Sequence, residues 1–184
     1  KERELAEQMA STGFVLSIVA GVIIAVLGQL FLTPLCIALG STSTILPYTE
    51  RYLGIVMLGA PFMTASLTLN NQMRFQGNAS YAMCGILSGV VLNFVLAPLL
   101  ILYFALGITG AAIATLTSQT FGFLMLFRMS RRSQNISIHI SNVRFSRDFM
   151  KEIVFGGTPS LSRQGLGSLS TIMLNHAAGF YGDA

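Results

Sequence analysis

The sequence predicts an all-α polytopic membrane protein with about five membrane-spanning helices. Residues 75–127 contain no charged side chain in 53 positions, and residues 8–49 contain none in 42. A helix of about 20 apolar residues crosses the hydrocarbon core of a bilayer and satisfies its own backbone amides there. Only 10% of the residues are charged and 53% are hydrophobic, whereas soluble domains have about 25% charged residues. This composition excludes an ordinary soluble domain.

Glycine, proline and charged residues divide the apolar sequence into five predicted spans: residues 11–39, 52–69, 79–104, 107–127 and 153–176. A serine- and threonine-rich stretch and Pro47 separate the first span from the second. The third and fourth spans are separated only by a short turn that contains Gly107 and Gly110. Because this link is so short, we expect these two helices to lie side by side and antiparallel.

The basic residues predict the orientation of the chain. Lys and Arg near the ends of spans are retained on the cytoplasmic side. Of the eleven in this chain, nine fall on one side of the layout: Lys1, Arg3, Arg74, Arg128, Arg131, Arg132, Arg144, Arg147 and Lys151. We therefore predict an integral, multi-pass protein of the plasma (inner) membrane with residues 128–152 as a basic cytoplasmic loop. Attraction to anionic lipid explains this loop, so we expect membrane lipid and no nucleic acid as a partner.

Signatures of catalysis and of metal binding are incomplete. The glycine run that begins at Gly165 lacks the third glycine of a dinucleotide-binding loop. His139 and His176 have no acidic or cysteine partner at catalytic or metal-ligand spacing. Cys36 and Cys84 are single residues within apolar segments. The sequence therefore predicts no enzyme, no metal site and no cofactor.

Polar side chains within the predicted spans indicate a solvated path through the protein. In lipid, such a side chain needs a hydrogen-bond partner or a wet cavity. The candidates for this path are Asn70, Asn71, Asn93, Thr115, Gln119, Arg163, Gln164 and Asn175. Hydrogen bonding between helices, without any transport, is the alternative explanation for each of them.

Several short motifs follow one another along nearly the whole chain. They include residues 59–62 (GAPF), 69–78 (LNNQMRFQGN), 107–115 (GITGAAIAT) and 157–160 (GTPS). In this order they resemble the multidrug and toxic compound extrusion (MATE) family of cation-coupled efflux transporters. Each motif alone is weak, but the ordered series is specific.

The resemblance implies a twelve-helix transporter with two lobes and a central cavity that alternates its opening between the two membrane faces. Residues 1–127 would be helices three to six of the first lobe, residues 128–152 the interlobe loop, and residues 153–184 the first helix of the second lobe. Since the chain begins at Lys1, we expect a piece of a longer protein.

The function implied by this resemblance is secondary-active efflux of small organic compounds, often cationic, by antiport coupled to H⁺ or Na⁺. A flippase for lipid-linked precursors and a non-transporting membrane scaffold are the alternatives.

The resemblance also implies part of a cation site. The family places an Asn, an Asp four positions later followed by Pro, and a Thr in the next helix. Asn93, Pro98 and Thr115 match this pattern, whereas Ala97 occupies the position of the Asp. The implied half-site therefore lacks its acid, and we expect coupling to H⁺ or Na⁺ to rest on other helices of the longer protein.

Overall fold

The computed structural model describes residues 2–132 and 147–179. Regular structure in these residues is entirely helical, which confirms the predicted all-α class. The elements in chain order are α1 (Glu2–Leu30), α2 (Leu32–Ala38), α3 (Leu46–Met57), α4 (Ala60–Phe75), α5 (Ala79–Pro98), a π-helical turn (Leu99–Tyr103), α6 (Gly107–Arg132) and α7 (Arg147–Gly179).

Three segments of these helices are long and apolar enough to cross a membrane: Glu4–Leu30, Ala79–Tyr103 and Gly107–Arg131. The bent pair α3 and α4 makes a fourth candidate if it is counted as one span. The helix α7 has 33 residues, yet it is not among the candidates found in the described residues. The structure thus supports three of the predicted spans, or four if the bent pair is one span. The span predicted at residues 153–176 stays a prediction.

The second predicted span, residues 52–69, is bent rather than straight. The helix α3 ends at Met57 and α4 begins at Ala60, with a bend of 56° between them. Pro61 lies in the first turn of α4. Proline has no amide hydrogen, and its ring clashes with the carbonyl four residues earlier, which here belongs to Met57. The helix therefore has to end and restart with a new direction.

The helices α5 and α6 form the predicted antiparallel pair. The turn between them contains Gly107 with a φ of 54°, a left-handed conformation that glycine adopts at little cost. Along the interface Gly85 meets Leu126, Gly89 meets Gly122 and Asn93 meets Thr115. Residue numbers that rise on one helix thus fall on the other.

A buried core joins α1, α4, α5 and α6. It includes Phe14, Leu69, Met73 and Leu126, each no more than 3% exposed. The ring of Phe14 stacks on that of Phe127, with 6.0 Å between the ring centres. In lipid such contacts are stabilised by close packing rather than by removal from water, and the core fixes the rotation of α4 and α6 about their axes.

The predicted basic loop is partly helical. The helix α6 continues past residue 127 to Arg132, and α7 begins at Arg147 and runs without a break into the last predicted span. Residues 133–146 lie outside the described part of the chain. Near its far end α7 contacts the first helices, because Nδ2 of Asn175 donates a 3.3 Å hydrogen bond to the carbonyl oxygen of Leu39.

Candidate functional site

A cavity of about 320 Å³ lies between α4, α5 and α6. Its walls combine apolar side chains, among them Met63 and Val90, with six neutral polar residues. The polar residues are Ser66 and Asn70 on α4, Asn93 on α5, and Thr115, Ser118 and Gln119 on α6. None of the described residues that line the cavity is charged.

Helical periodicity places the α6 residues on one face. Thr115, Ser118, Gln119 and Gly122 follow the spacing i, i+3, i+4 and i+7, which aligns side chains along one side of a helix. A Cβ atom at Gly89 of α5 would lie 3.0 Å from the backbone carbonyl oxygen of Ser118. Glycine therefore allows α5 to approach α6 closely, and this approach brings the polar residues of both helices to one wall.

The hydroxyl of Thr115 is the centre of a polar junction between three helices. It donates a 2.9 Å hydrogen bond to the carbonyl oxygen of Ala111 within α6. With its hydrogen used there, its oxygen accepts from Nδ2 of Asn93 at 3.5 Å and from the hydroxyl of Tyr52 on α3 at 3.4 Å. Both distances are long for hydrogen bonds, so the junction is weak.

Two polar atoms in the cavity wall have no hydrogen-bond partner among the described residues. They are Oγ of Ser118 and Oε1 of Gln119, and both atoms are buried. Ser118 is only 4% exposed. An unsatisfied buried polar atom costs about 1–3 kcal/mol. A bound water or ligand group that donates a hydrogen bond to Gln119 would recover part of this free energy.

Asn70 serves a structural purpose as well. Its Nδ2 atom donates a 3.1 Å hydrogen bond to the carbonyl oxygen of Ala82, which joins α4 to α5. Its neighbour Asn71 is exposed and does not line the cavity, because adjacent positions on a helix point about 100° apart.

The acid missing from the implied half-site is not replaced nearby. Ala97 lies one turn after Asn93 on α5, is half-buried and does not line the cavity. In the described residues there is no group of three or more His, Cys, Asp or Glu side chains that could hold a metal ion. The cavity therefore offers dipoles to a ligand and no fixed charge.

The remaining predicted residues lie on α7, away from the cavity. Gln164 is exposed on that helix, and Asn175 is exposed at the contact with Leu39. Arg163 also belongs to α7, but its side chain lies outside the described part of the structure. The structure thus brings together Asn70, Asn93, Thr115 and Gln119. Ser118 and Ser66 line the cavity with them. Ser66 was missed because serine is common in spans, and its position four residues before Asn70 on α4 was the only signal.

Comparison with known proteins identifies related transporters. A family model described as MatE matches residues 1–99, which is more than half of the chain. The multidrug export protein MepA of Staphylococcus haemolyticus is 30% identical over 168 residues, which cover 91% of this chain and 37% of that protein. MepA of Staphylococcus aureus (strain bovine RF122 / ET3-1) is 29% identical over 168 residues, 90% of this chain and 37% of the relative. The chain spans a little over a third of these relatives.

Solved structures agree with this relationship. An inward-facing multidrug resistance MATE family transporter of the MOP superfamily superposes with a TM-score of 0.80 at 27% identity, over 94% of this chain and 38% of the other. An outward-facing transporter of the same description also gives 0.80 at 27% identity, over 97% of this chain and 39% of the other. The apolar helices and these relatives make the chain an integral, multi-pass membrane protein. It belongs to the MatE family, as the ordered motifs indicated.

Proposed function

We propose that this chain is part of a secondary-active transporter that exports small organic compounds by alternating access, driven by inward movement of H⁺ or Na⁺. The observation that carries the proposal is the neutral polar cavity between α4, α5 and α6, within helices that are otherwise apolar. The relatives support it, since they are named as multidrug export proteins and multidrug resistance transporters.

The chemistry of the cavity suits varied amphipathic substrates. Binding sites for drug-sized molecules are mostly apolar pockets of about 300–1,000 Å³ with a few placed polar groups, and this cavity has about 320 Å³. Met63 supplies a flexible, polarisable wall that adapts to different shapes. Gln119 and Ser118 offer hydrogen-bonding atoms that are not already used. Such a surface binds many molecules weakly, as multidrug export requires.

The driving ion is proposed to act elsewhere in the whole protein. A desolvated carboxylate can bind sodium or change its protonation during a transport cycle, and none lines this cavity. Small organic substrates are thus the ligands of the described cavity, and the coupling ion uses groups outside it.

The proposed placement is the plasma membrane, with residues 128–152 in the cytoplasm. Residues 1–127 are assigned to the first lobe and residues 153–184 to the second, with the basic segment as the link between them. The charge distribution of the sequence supports this placement.

Efflux of a fluorescent organic cation from cells that express the full-length protein tests the function. We expect Gln119→Leu and Ser118→Ala to reduce the efflux rate several-fold, because both remove hydrogen-bonding atoms from the cavity wall. Asn71→Leu is the matched control, since Asn71 lies one position from the cavity-lining Asn70 but is exposed, and it should leave efflux unchanged.

Dissipation of the proton gradient or removal of sodium should stop efflux by the unmodified protein if coupling is as proposed. Absence of efflux under any gradient, in a protein that reaches the membrane, would contradict the proposal and favour a scaffold. Movement of lipid-linked precursors without efflux of organic cations would favour a flippase.

A further inference from the structure

The α5 and α6 pair has two opposite faces, and only one of them bears the cavity. On α6, the cavity is lined by Thr115, Gln119 and Gly122. With about 3.6 residues per turn, Phe121 and Leu124 project from the other side of the same helix. Leu124 is 55% exposed there. In the part of the protein that the structure describes, no helix covers this large apolar side chain, and it can contact lipid.

This outer face carries a furrow that ends at two arginines. The furrow is a hollow of about 440 Å³ lined by Phe121, Leu124, Met125, Phe127, Arg128 and Arg131. It adjoins a second, apolar hollow on the outer face of α5, because Phe121 lines both. Apolar surface therefore extends along the helices and stops at a pair of positive charges.

The two guanidinium groups are available to an anion. Arg128 and Arg131 are exposed and lie three positions apart, so their side chains are neighbours on the helix. Neither makes an ion pair within residues 2–132 and 147–179, and no acidic residue lines the furrow. The Arg131 guanidinium carbon lies 4.8 Å from the centre of the Phe127 ring, a cation–π contact that holds it beside the furrow. An anion between the two arginines would relieve their mutual repulsion.

We propose that this furrow is a binding site for an anionic glycerophospholipid. The phosphate lies between Arg128 and Arg131, and an acyl chain follows Leu124 and Phe121. From residue 121 to residue 131 the helix rises about 15 Å, which equals half of the roughly 30 Å hydrocarbon core. The furrow thus fits one lipid of one leaflet. A zwitterionic lipid fits less well, because its ammonium group would approach the two arginines. This inference requires the membrane placement and is independent of the transport function.

A tryptophan reporter tests the site directly. Leu124→Trp introduces a fluorophore into the furrow, which has no tryptophan of its own, and the unmodified full-length protein supplies the background signal. Full-length protein is reconstituted in nanodiscs that contain brominated phosphatidylglycerol or brominated phosphatidylcholine, both of which quench tryptophan on contact. We expect this position to bind phosphatidylglycerol in preference to phosphatidylcholine. The ratio of the two apparent affinities should rise about fivefold for each arginine that contributes.

Two controls separate this site from general attraction of anionic lipid. Leu102→Trp places the reporter on the exposed π-helical turn beyond α5, outside the furrow, and should show no preference. With the Leu124→Trp reporter, Arg128→Gln together with Arg131→Gln should abolish the preference. Arg74→Gln removes an exposed cation on the same predicted side of the membrane and should retain it.

Equal quenching by the two lipids at Leu124→Trp would overturn the proposal. A preference for phosphatidylglycerol that survives the loss of both arginines would overturn it as well. So would a decrease of that preference in Arg74→Gln as large as the decrease in the double variant Arg128→Gln and Arg131→Gln. Efflux need not change in any of these variants, so failure of the lipid site and failure of the transport function give different results.

Discussion

Ala97 lies one turn after Asn93 on α5. Because alanine is neutral, the position where the family has an acid carries no charge in this chain. The oxygen atoms of Asn93 and Thr115 supply dipoles but no titratable charge, and their mutual contact is 3.5 Å long. We therefore expect this half-site neither to bind sodium tightly nor to titrate near neutral pH by itself.

Introduction of an acid at this position tests that expectation. Ala97→Asp places a carboxylate on the same helical face as Asn93, since residues four apart align. Efflux by the full-length protein should then gain or strengthen a dependence on sodium or pH, measured in proteoliposomes under imposed gradients. Ala97→Asn is the control, because it adds the same shape without charge. The idea fails if Asn93→Ala and Thr115→Ala abolish an existing ion dependence of the native protein while substrate binding persists.

At the scale of elements, α1 approaches the break between α3 and α4 closely. A Cβ atom at Gly21 of α1 would lie 2.5 Å from the Cα atom of Pro61 and 2.9 Å from the carbonyl oxygen of Ala60. These are backbone atoms at the bend, which cannot rotate away as a side chain can. Only a residue without a side chain fits between the two elements.

We expect Gly21→Ala to destabilise the folded protein by about 1–3 kcal/mol, the usual range for overpacking. Gly13→Ala is the matched control, because it lies on the same helix and a Cβ atom there meets nothing within 4 Å. Thermal unfolding of the purified full-length protein should show a lower midpoint for Gly21→Ala only. A comparable decrease for Gly13→Ala would mean that helix α1 itself, rather than its contact with Pro61, is sensitive to alanine.

At the scale of the whole molecule, the orientation in the membrane rests on the distribution of basic residues. Ser43 is exposed in the segment between α2 and α3, on the predicted outer side, and Ser133 belongs to the predicted cytoplasmic loop. In a full-length protein without Cys36 and Cys84, Ser43→Cys should react with a membrane-impermeant thiol reagent on intact cells. Ser133→Cys should react only after the cells are opened. Labelling of Ser133→Cys on intact cells would reverse the orientation.

The sequence by itself determined the class of protein and the pairing of its third and fourth predicted spans. Charge-free runs and a short link are properties of the linear chain, and they require helices in lipid and an antiparallel neighbour whatever else the fold does. The family likewise followed from the order of motifs. The sequence contains Pro61 within the second predicted span. Because its neighbours in the sequence are apolar, hydropathy alone predicted one span where the structure has the two helices α3 and α4.

Only the tertiary structure decided which polar residues share a cavity. Asn70 and Asn71 are alike in the sequence, yet one lines the cavity and the other is exposed. The difference arises because burial of Leu69 and Met73 in the core fixes the rotation of α4. Similarly, Gln119 meets the cavity while Gln164 does not. Hydropathy describes each helix separately, whereas the direction of a side chain depends on the neighbours against which its helix packs.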